Sequence, residues 1–196
     1  MGSATESPRC FWRSCCAPNH DARAGQGISL LFAMNDLFEA YIAALARKAL
    51  RGSNLTIHSQ GGLRYCLMEE GDGGRQRFQT TPDILIKQNG RIQMVIDTKW
   101  KLIGRNPEDK KRGVSQSDVY QMMAYARLYQ CPEVMLLYPH HVGLGADALD
   151  AGYGILGGDE RLTIASVRLD LVEAEVAQRL SWLISKYIPT LHGEMV

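Results

Sequence analysis

A chain of 196 residues with 45% apolar content has enough material for one domain with a full core. Its formal net charge of +1 excludes the broadly basic surface of a protein that coats DNA non-specifically. No apolar stretch reaches the roughly 18 to 20 residues that span a membrane, and the continuous apolar h-region of a secretory signal is missing. The expected address is therefore the cytoplasm, with reduced thiols.

Residues 1–33 are rich in Ser, Arg, Ala, Gly and Cys. The first 27 or so read as a flexible segment, and residues 28–32 as a short run delivering the chain to the first helix. Cys10, Cys15, Cys16 and His20 fall here, but their spacing does not match the paired pattern of a structural zinc site. A helix is expected from Met34, with Asn35 as N-cap and Phe38, Tyr41, Ile42, Leu45 and Ala49 forming one apolar stripe. Glu39 lies beside that stripe. It is either a carboxylate that reaches a neighbouring site or an ordinary salt-bridged glutamate.

Thr81-Pro82-Asp83 opens a β-prone run over 83–87, the turn-forming Gln88-Asn89-Gly90-Arg91 follows, and a second β-prone run covers 92–100. This is the pattern of a β-hairpin. Alternation along a strand puts Asp97 and Lys99 on one face, with Ile96, Thr98 and Trp100 on the other. Antiparallel pairing then brings Asp83, at the start of one strand, close to Asp97, near the end of its partner. Two carboxylates and one ammonium converge.

Carboxylate oxygens are the ligands that Mg²⁺ prefers, usually one or two of them beside waters and substrate phosphate oxygens. Such an ion activates water and stabilises charge growing on a phosphate. Lys99 would orient or deprotonate that water and neutralise the pentavalent phosphate. The plainer alternative is a charged pair facing solvent at the end of an edge strand.

Residues 99–112 carry six Lys or Arg against two acids, with turn composition from Gly104 to Gly113, which reads as a solvated loop able to touch phosphates. A second helix is expected near 114–118, where Ser115 and Asp118 suit a capping box. Gln121 and Tyr125, at i and i+4, share a face with Asp118, Met122 and Leu128. Residues 133–139 read as a buried strand ended by Pro139. The glycine-rich stretch 140–161 contains no phosphate loop, because no Gly-Lys-Ser/Thr follows its glycines, so no nucleotide is expected to bind this chain. Within it, Gly157 to Glu160 reads as a turn, and His140 and His141 as solvent-facing. A strand over 162–169 and a helix over 172–187 complete a mixed sheet flanked by helices.

Four ordered motifs carry a resemblance: Met34-Asn35-Asp36-Leu37-Phe38-Glu39, then Asp97-Thr98-Lys99-Trp100-Lys101, then 117–126 with Gln121 and Tyr125, then Leu136-Leu137-Tyr138-Pro139. The chain resembles, over roughly 30–188, the PD-(D/E)XK nucleases with a Gln-Tyr helix motif, and in particular the McrC-type nucleases of McrBC 5-methylcytosine restriction systems. That resemblance implies an α/β, restriction-endonuclease-like core with a central mixed sheet flanked by helices. It implies a Mg²⁺-dependent DNA endonuclease, with Mn²⁺ able to substitute, in which Asp83 and Asp97 are metal ligands and Lys99 is the catalytic lysine. Glu39 would support the metal or its water, and Gln121, Tyr125 and Lys101 would orient the site or touch the DNA backbone.

The implied partners are DNA and a McrB-type AAA+ GTPase that reads the methylated base. Residues 1–33 offer no counterpart to the domain through which such nucleases dock on that partner, which sets the expected organisation at a flexible 1–33, a nuclease domain 34–190 and a tail 191–196. Double-strand cleavage adds the expectation of a homodimer on DNA. A module that keeps the fold without turnover, and an RNA-directed enzyme on the same core, are the alternatives.

Overall fold

In the computed structural model, residues 33–71, 73–104, 109, 111 and 113–188 are described. The cysteine and histidine set before residue 21, the run 28–32, part of the basic loop and the tail lie outside them. All described residues except Ala33 belong to one compact unit, Met34–Val196.

Apolar residues on both faces of the central strands require cover on both sides, and the chain supplies it with three helices. The elements run α1 (Met34–Ala49), β1 (Leu55–Ser59), β2 (Arg64–Met68), β3 (Gln76–Thr80), β4 (Ile84–Gln88) and β5 (Arg91–Thr98). They continue with α2 (Gln116–Tyr129), β6 (Glu133–Pro139), a 3₁₀ turn (Val142–Leu144), β7 (Asp150–Gly154), β8 (Arg161–Val167) and α3 (Glu173–Tyr187). Six strands form one mixed sheet in the order β1-β4-β5-β6-β8-β7, and β2 and β3 make a separate two-stranded ribbon.

The expected hairpin is β4–β5, antiparallel, with Ile84 opposite Ile96 and Gln88 opposite Arg91. Its two-residue connection has Asn89 at φ 51° and Gly90 at φ 78°, both left-handed as a hairpin turn of this length requires. The strand stops at Thr98, two residues short of the expected end. Lys99 nonetheless continues the parallel ladder by donating its backbone N–H to the Leu137 carbonyl at 2.9 Å.

β5 joins β6 in parallel through the α2 crossover, and β6 joins β8 in parallel. The even-numbered residues Ile84, Ile86, Met94 and Ile96 pack with α1 and α3 around Phe38, Ile42, Leu45, Leu180 and Leu183. Leu85 and Val95 point the other way, into a second core with Met122, Tyr125 and Tyr129 of α2 and Val134, Leu136 and Tyr138 of β6.

Several expectations are corrected. Helix α1 begins at Met34, so Asn35 is its second residue and not its cap. β1, β2, β3 and β7 were not anticipated. Ser115 is the N-cap of α2 but makes no capping hydrogen bond, because its hydroxyl meets Ser117 and the Asp118 carboxylate turns to Lys101. His140 and His141 do not face solvent freely. His140 bridges Ser166 Oγ and the Gly145 carbonyl, while His141 accepts from the Gly143 N–H and meets the Ile103 carbonyl at 2.8 Å.

Candidate active site

The register Ile84↔Ile96 places Asp83 one step further along, across from Asp97. Asp83 leaves buried Pro82, whose ring fixes φ and sets the entry into β4. One of its oxygens, Oδ2, accepts the Thr98 backbone N–H at 2.7 Å and the Thr98 hydroxyl at 2.8 Å. Thr98 therefore clamps the first carboxylate beside the second.

Asp97 is 2% exposed, on the face of β5 that looks toward α2. Its Oδ2 lies 2.6 Å from the Lys99 ammonium, an ion pair and not an aligned hydrogen bond, since the same buried oxygen has no hydrogen-bond partner. Lys99 Nζ also donates to Gln121 Oε1 at 3.1 Å, and Gln121 Nε2 donates to the Tyr125 phenol at 2.9 Å. The i, i+4 pair on α2 thus does line the hairpin, and a continuous polar chain runs Asp97–Lys99–Gln121–Tyr125.

Glu39 approaches from the opposite side of the sheet. Phe38 stacks edge-on against Trp100 with ring centroids 5.5 Å apart, which fixes this part of α1 against the exit of β5. Glu39 Oε1 accepts from Gln60 Nε2 at 3.0 Å, and the Gln60 backbone N–H donates to the Asp83 carbonyl at 3.0 Å.

Lys101 is bound to both oxygens of Asp118, at 2.9 and 3.1 Å, and Asp118 is 6% exposed in the first turn of α2. Asp118 is thus an ion-pair partner and not the cap its position suggests, and Thr98 and Gln60 join the site without having been expected there. Nothing in the sequence points to Gln60, whereas the alternation that faces Lys101 along with Lys99 is a signal for a second lysine–carboxylate contact.

The carboxyls share one electrostatic condition. Burial, then Asp83, pushes Asp97 up to about 6 against the pull of Lys99. Burial raises Asp83 against the Thr98 hydrogen bonds, and burial, then Asp83, raises Glu39 against the Gln60 hydrogen bond. Each carboxylate sits at a cost unless positive charge joins it. The Tyr125 phenol is pushed up to about 12, chiefly by burial, so it remains a neutral dipole.

Among the described residues no three His, Cys, Asp or Glu side chains are gathered into a cluster able to hold a metal. Two carboxylates with elevated proton affinity, one of them holding a buried oxygen without a hydrogen bond, still match the protein's share of a Mg²⁺ site. The donor set is all oxygen, which suits a hard cation.

A family model for a McrBC 5-methylcytosine restriction system component matches residues 16–139, more than half of the chain. The structure is similar to a chain in the refined half-complex from the tetradecameric assembly of Thermococcus gammatolerans McrB AAA+ hexamers with bound McrC. There the TM-score is 0.51 at 18% identity, over 78% of this chain and 33% of that one. The present chain thus spans about a third of that chain's length, and the likeness is one of fold. A search of curated proteins gives no match. The motif order expected of a restriction nuclease, the mixed sheet that carries it and the extent of the family match agree: this chain belongs to the McrBC 5-methylcytosine restriction system component family.

Proposed function

We propose that the chain is a McrC-type nuclease core that hydrolyses DNA phosphodiester bonds with Mg²⁺, for which Mn²⁺ can substitute. The observation that carries this reading is the opposition of Asp83 and Asp97 across the hairpin, with Lys99 held 2.6 Å from Asp97 by Gln121. A solvent-facing strand end does not bury a carboxylate to 2% exposure between a like charge and an ammonium.

A divalent cation bound at Asp83 and Asp97 supplies Lewis-acid activation of water and a counter-charge for the phosphorane. The residues do the rest. Asp97 and Asp83 present acceptor oxygens that orient the attacking water in line with the scissile P–O bond. Lys99 Nζ, fixed between Asp97 and Gln121, donates to a non-bridging oxygen as charge accumulates there. Gln121 holds the ammonium on the side of α2, and Tyr125 in turn holds Gln121. Water adds to phosphorus and gives up a proton to solvent, the P–O bond to the leaving sugar oxygen breaks, and that oxygen takes up a proton from solvent. Glu39 acts at longer range, as an acceptor for water in the same hydration shell.

Recognition of the methylated base is assigned to a McrB-type AAA+ partner, and two-strand cutting to pairing of two such sites on DNA. The reading is tested by incubating methylated and unmethylated plasmid with wild type, Asp97→Asn and Lys99→Ala, in Mg²⁺ or Mn²⁺, with and without a McrB-type partner and GTP. Cutting by wild type alone supports it. Folded wild type that cuts in no arm reassigns the chain to a non-catalytic module on the same fold.

A further inference from the structure

Resting on that reading, we infer that Gln60 is a positioning residue that sets the Glu39 carboxylate beside Asp83 and thereby raises the divalent-cation affinity of the site.

Gln60 follows the last residue of β1 and adopts φ 47°, a left-handed backbone that a long side chain enters at a cost. Gly61 and Gly62 come next, and Gly62 already takes φ 71°. The turn therefore has glycine at hand, and a glycine at position 60 would make it with less strain. What glycine lacks is the amide. That amide donates 3.0 Å to Glu39 Oε1, while the backbone N–H of the same residue donates 3.0 Å to the Asp83 carbonyl. One residue thus ties the main chain of one carboxylate residue to the side chain of another. Strain held at such a junction is expected where the geometry serves a site and not only the turn.

Glu39 has reason to leave without it. Asp83 repels its carboxylate, and the Gln60 amide is the only hydrogen-bond donor to the Glu39 side chain among the described residues. Nothing else in the described residues opposes that repulsion, so loss of the amide frees the side chain to turn toward solvent. Asp83 keeps its Thr98 clamp throughout. The effect is confined to the helix-borne carboxylate.

The test compares the full chain as wild type, Gln60→Gly, Gln60→Met and Glu39→Gln. Gly removes the strain and the amide, whereas Met keeps the length and removes only the amide. Mn²⁺ binding is measured by titration calorimetry without DNA, melting in EDTA reports the fold, and cleavage is followed against Mg²⁺ concentration. Gln60→Gly is expected to melt at or above the wild-type temperature, yet both variants bind Mn²⁺ about tenfold more weakly, with the KM for DNA unchanged. Adding Glu39→Gln to either variant is expected to weaken binding no further. Wild-type Mn²⁺ affinity in both variants, or a loss that adds to that of Glu39→Gln, overturns the inference while leaving the nuclease reading in place. A wild type that binds no Mn²⁺ overturns both.

Discussion

The Lys99 ammonium lies 2.6 Å from a carboxylate oxygen of Asp97, two residues earlier on the same strand face, and the two side chains are 19% and 3% exposed. Burial sets the terms of this pair. Removing one partner leaves the other as a charge inside the protein, which costs more than the pair contributes.

Lys99→Met is expected to abolish cleavage and to destabilise the fold by about 1–3 kcal/mol, while Asp97→Asn/Lys99→Met recovers most of the stability and none of the activity. Urea unfolding in EDTA, run beside the plasmid assay, checks both parts. A Lys99→Met variant as stable as wild type would show that Asp97 is solvated well enough to stand alone.

Glu133 opens β6 at the far end of the sheet, where burial pushes it up to about 7 from the ordinary 4.5 and Arg161, 3.4 Å away, offsets this only in part. A carboxyl whose folded pKa is raised binds its proton more tightly when folded. Its contribution to stability is complete below about pH 4.5 and is lost as pH rises through 7. Glu133→Gln is therefore expected to stabilise the protein by about 1–3 kcal/mol at pH 8 and by almost nothing at pH 4. Thermal melts across that range decide it.

Lys101 is engaged by Asp118. Lys101→Met should leave the log–log salt slope of DNA binding unchanged, where loss of a phosphate contact would remove about one unit. It should instead lower stability by about 1 kcal/mol, because Asp118 is left buried without its cation. Fluorescence anisotropy at several salt concentrations separates the two roles.

Gly113 closes the base of the loop that follows the site. It sits at φ 74°, and a Cβ there would lie 2.4 Å from the Gly104 backbone nitrogen. Gly113→Ala is expected to cost about 2–4 kcal/mol, since neither the left-handed backbone nor the contact with main chain can relax cheaply. Differential scanning calorimetry would read this as a lower melting temperature.

The hairpin and the meeting of its charged residues were legible because several local signals agree there: alternation, an Asn-Gly turn, and charged residues spaced by two on one face. The strand β6 was legible as a continuous apolar run ended by proline, and the helices α2 and α3 from residues spaced at helical intervals. β2 and β3 were not, because every residue of β2 and nearly all of β3 is exposed, so no period of two marks a buried face. β7 was hidden by its glycines and by half-exposed positions. Asp118 was misread because a carboxylate in a first helical turn satisfies a capping pattern locally, and only the packing of α2 against β5 offers it Lys101 instead. Gln60 carries no sequence signal at all, since its role depends on two elements distant along the chain meeting at β1.

The short Asn89-Gly90 connection has a kinetic consequence. Asp83, Asp97 and Lys99 are brought together by one hairpin, a contact of short loop length of the kind that closes on the order of microseconds. Glu39 and Gln121 arrive only when α1 docks and the α2 crossover lays β6 alongside β5. The charged heart of the site is thus among the earliest native contacts available to the folding chain, and its repulsion is borne before the helices that steady it are in place.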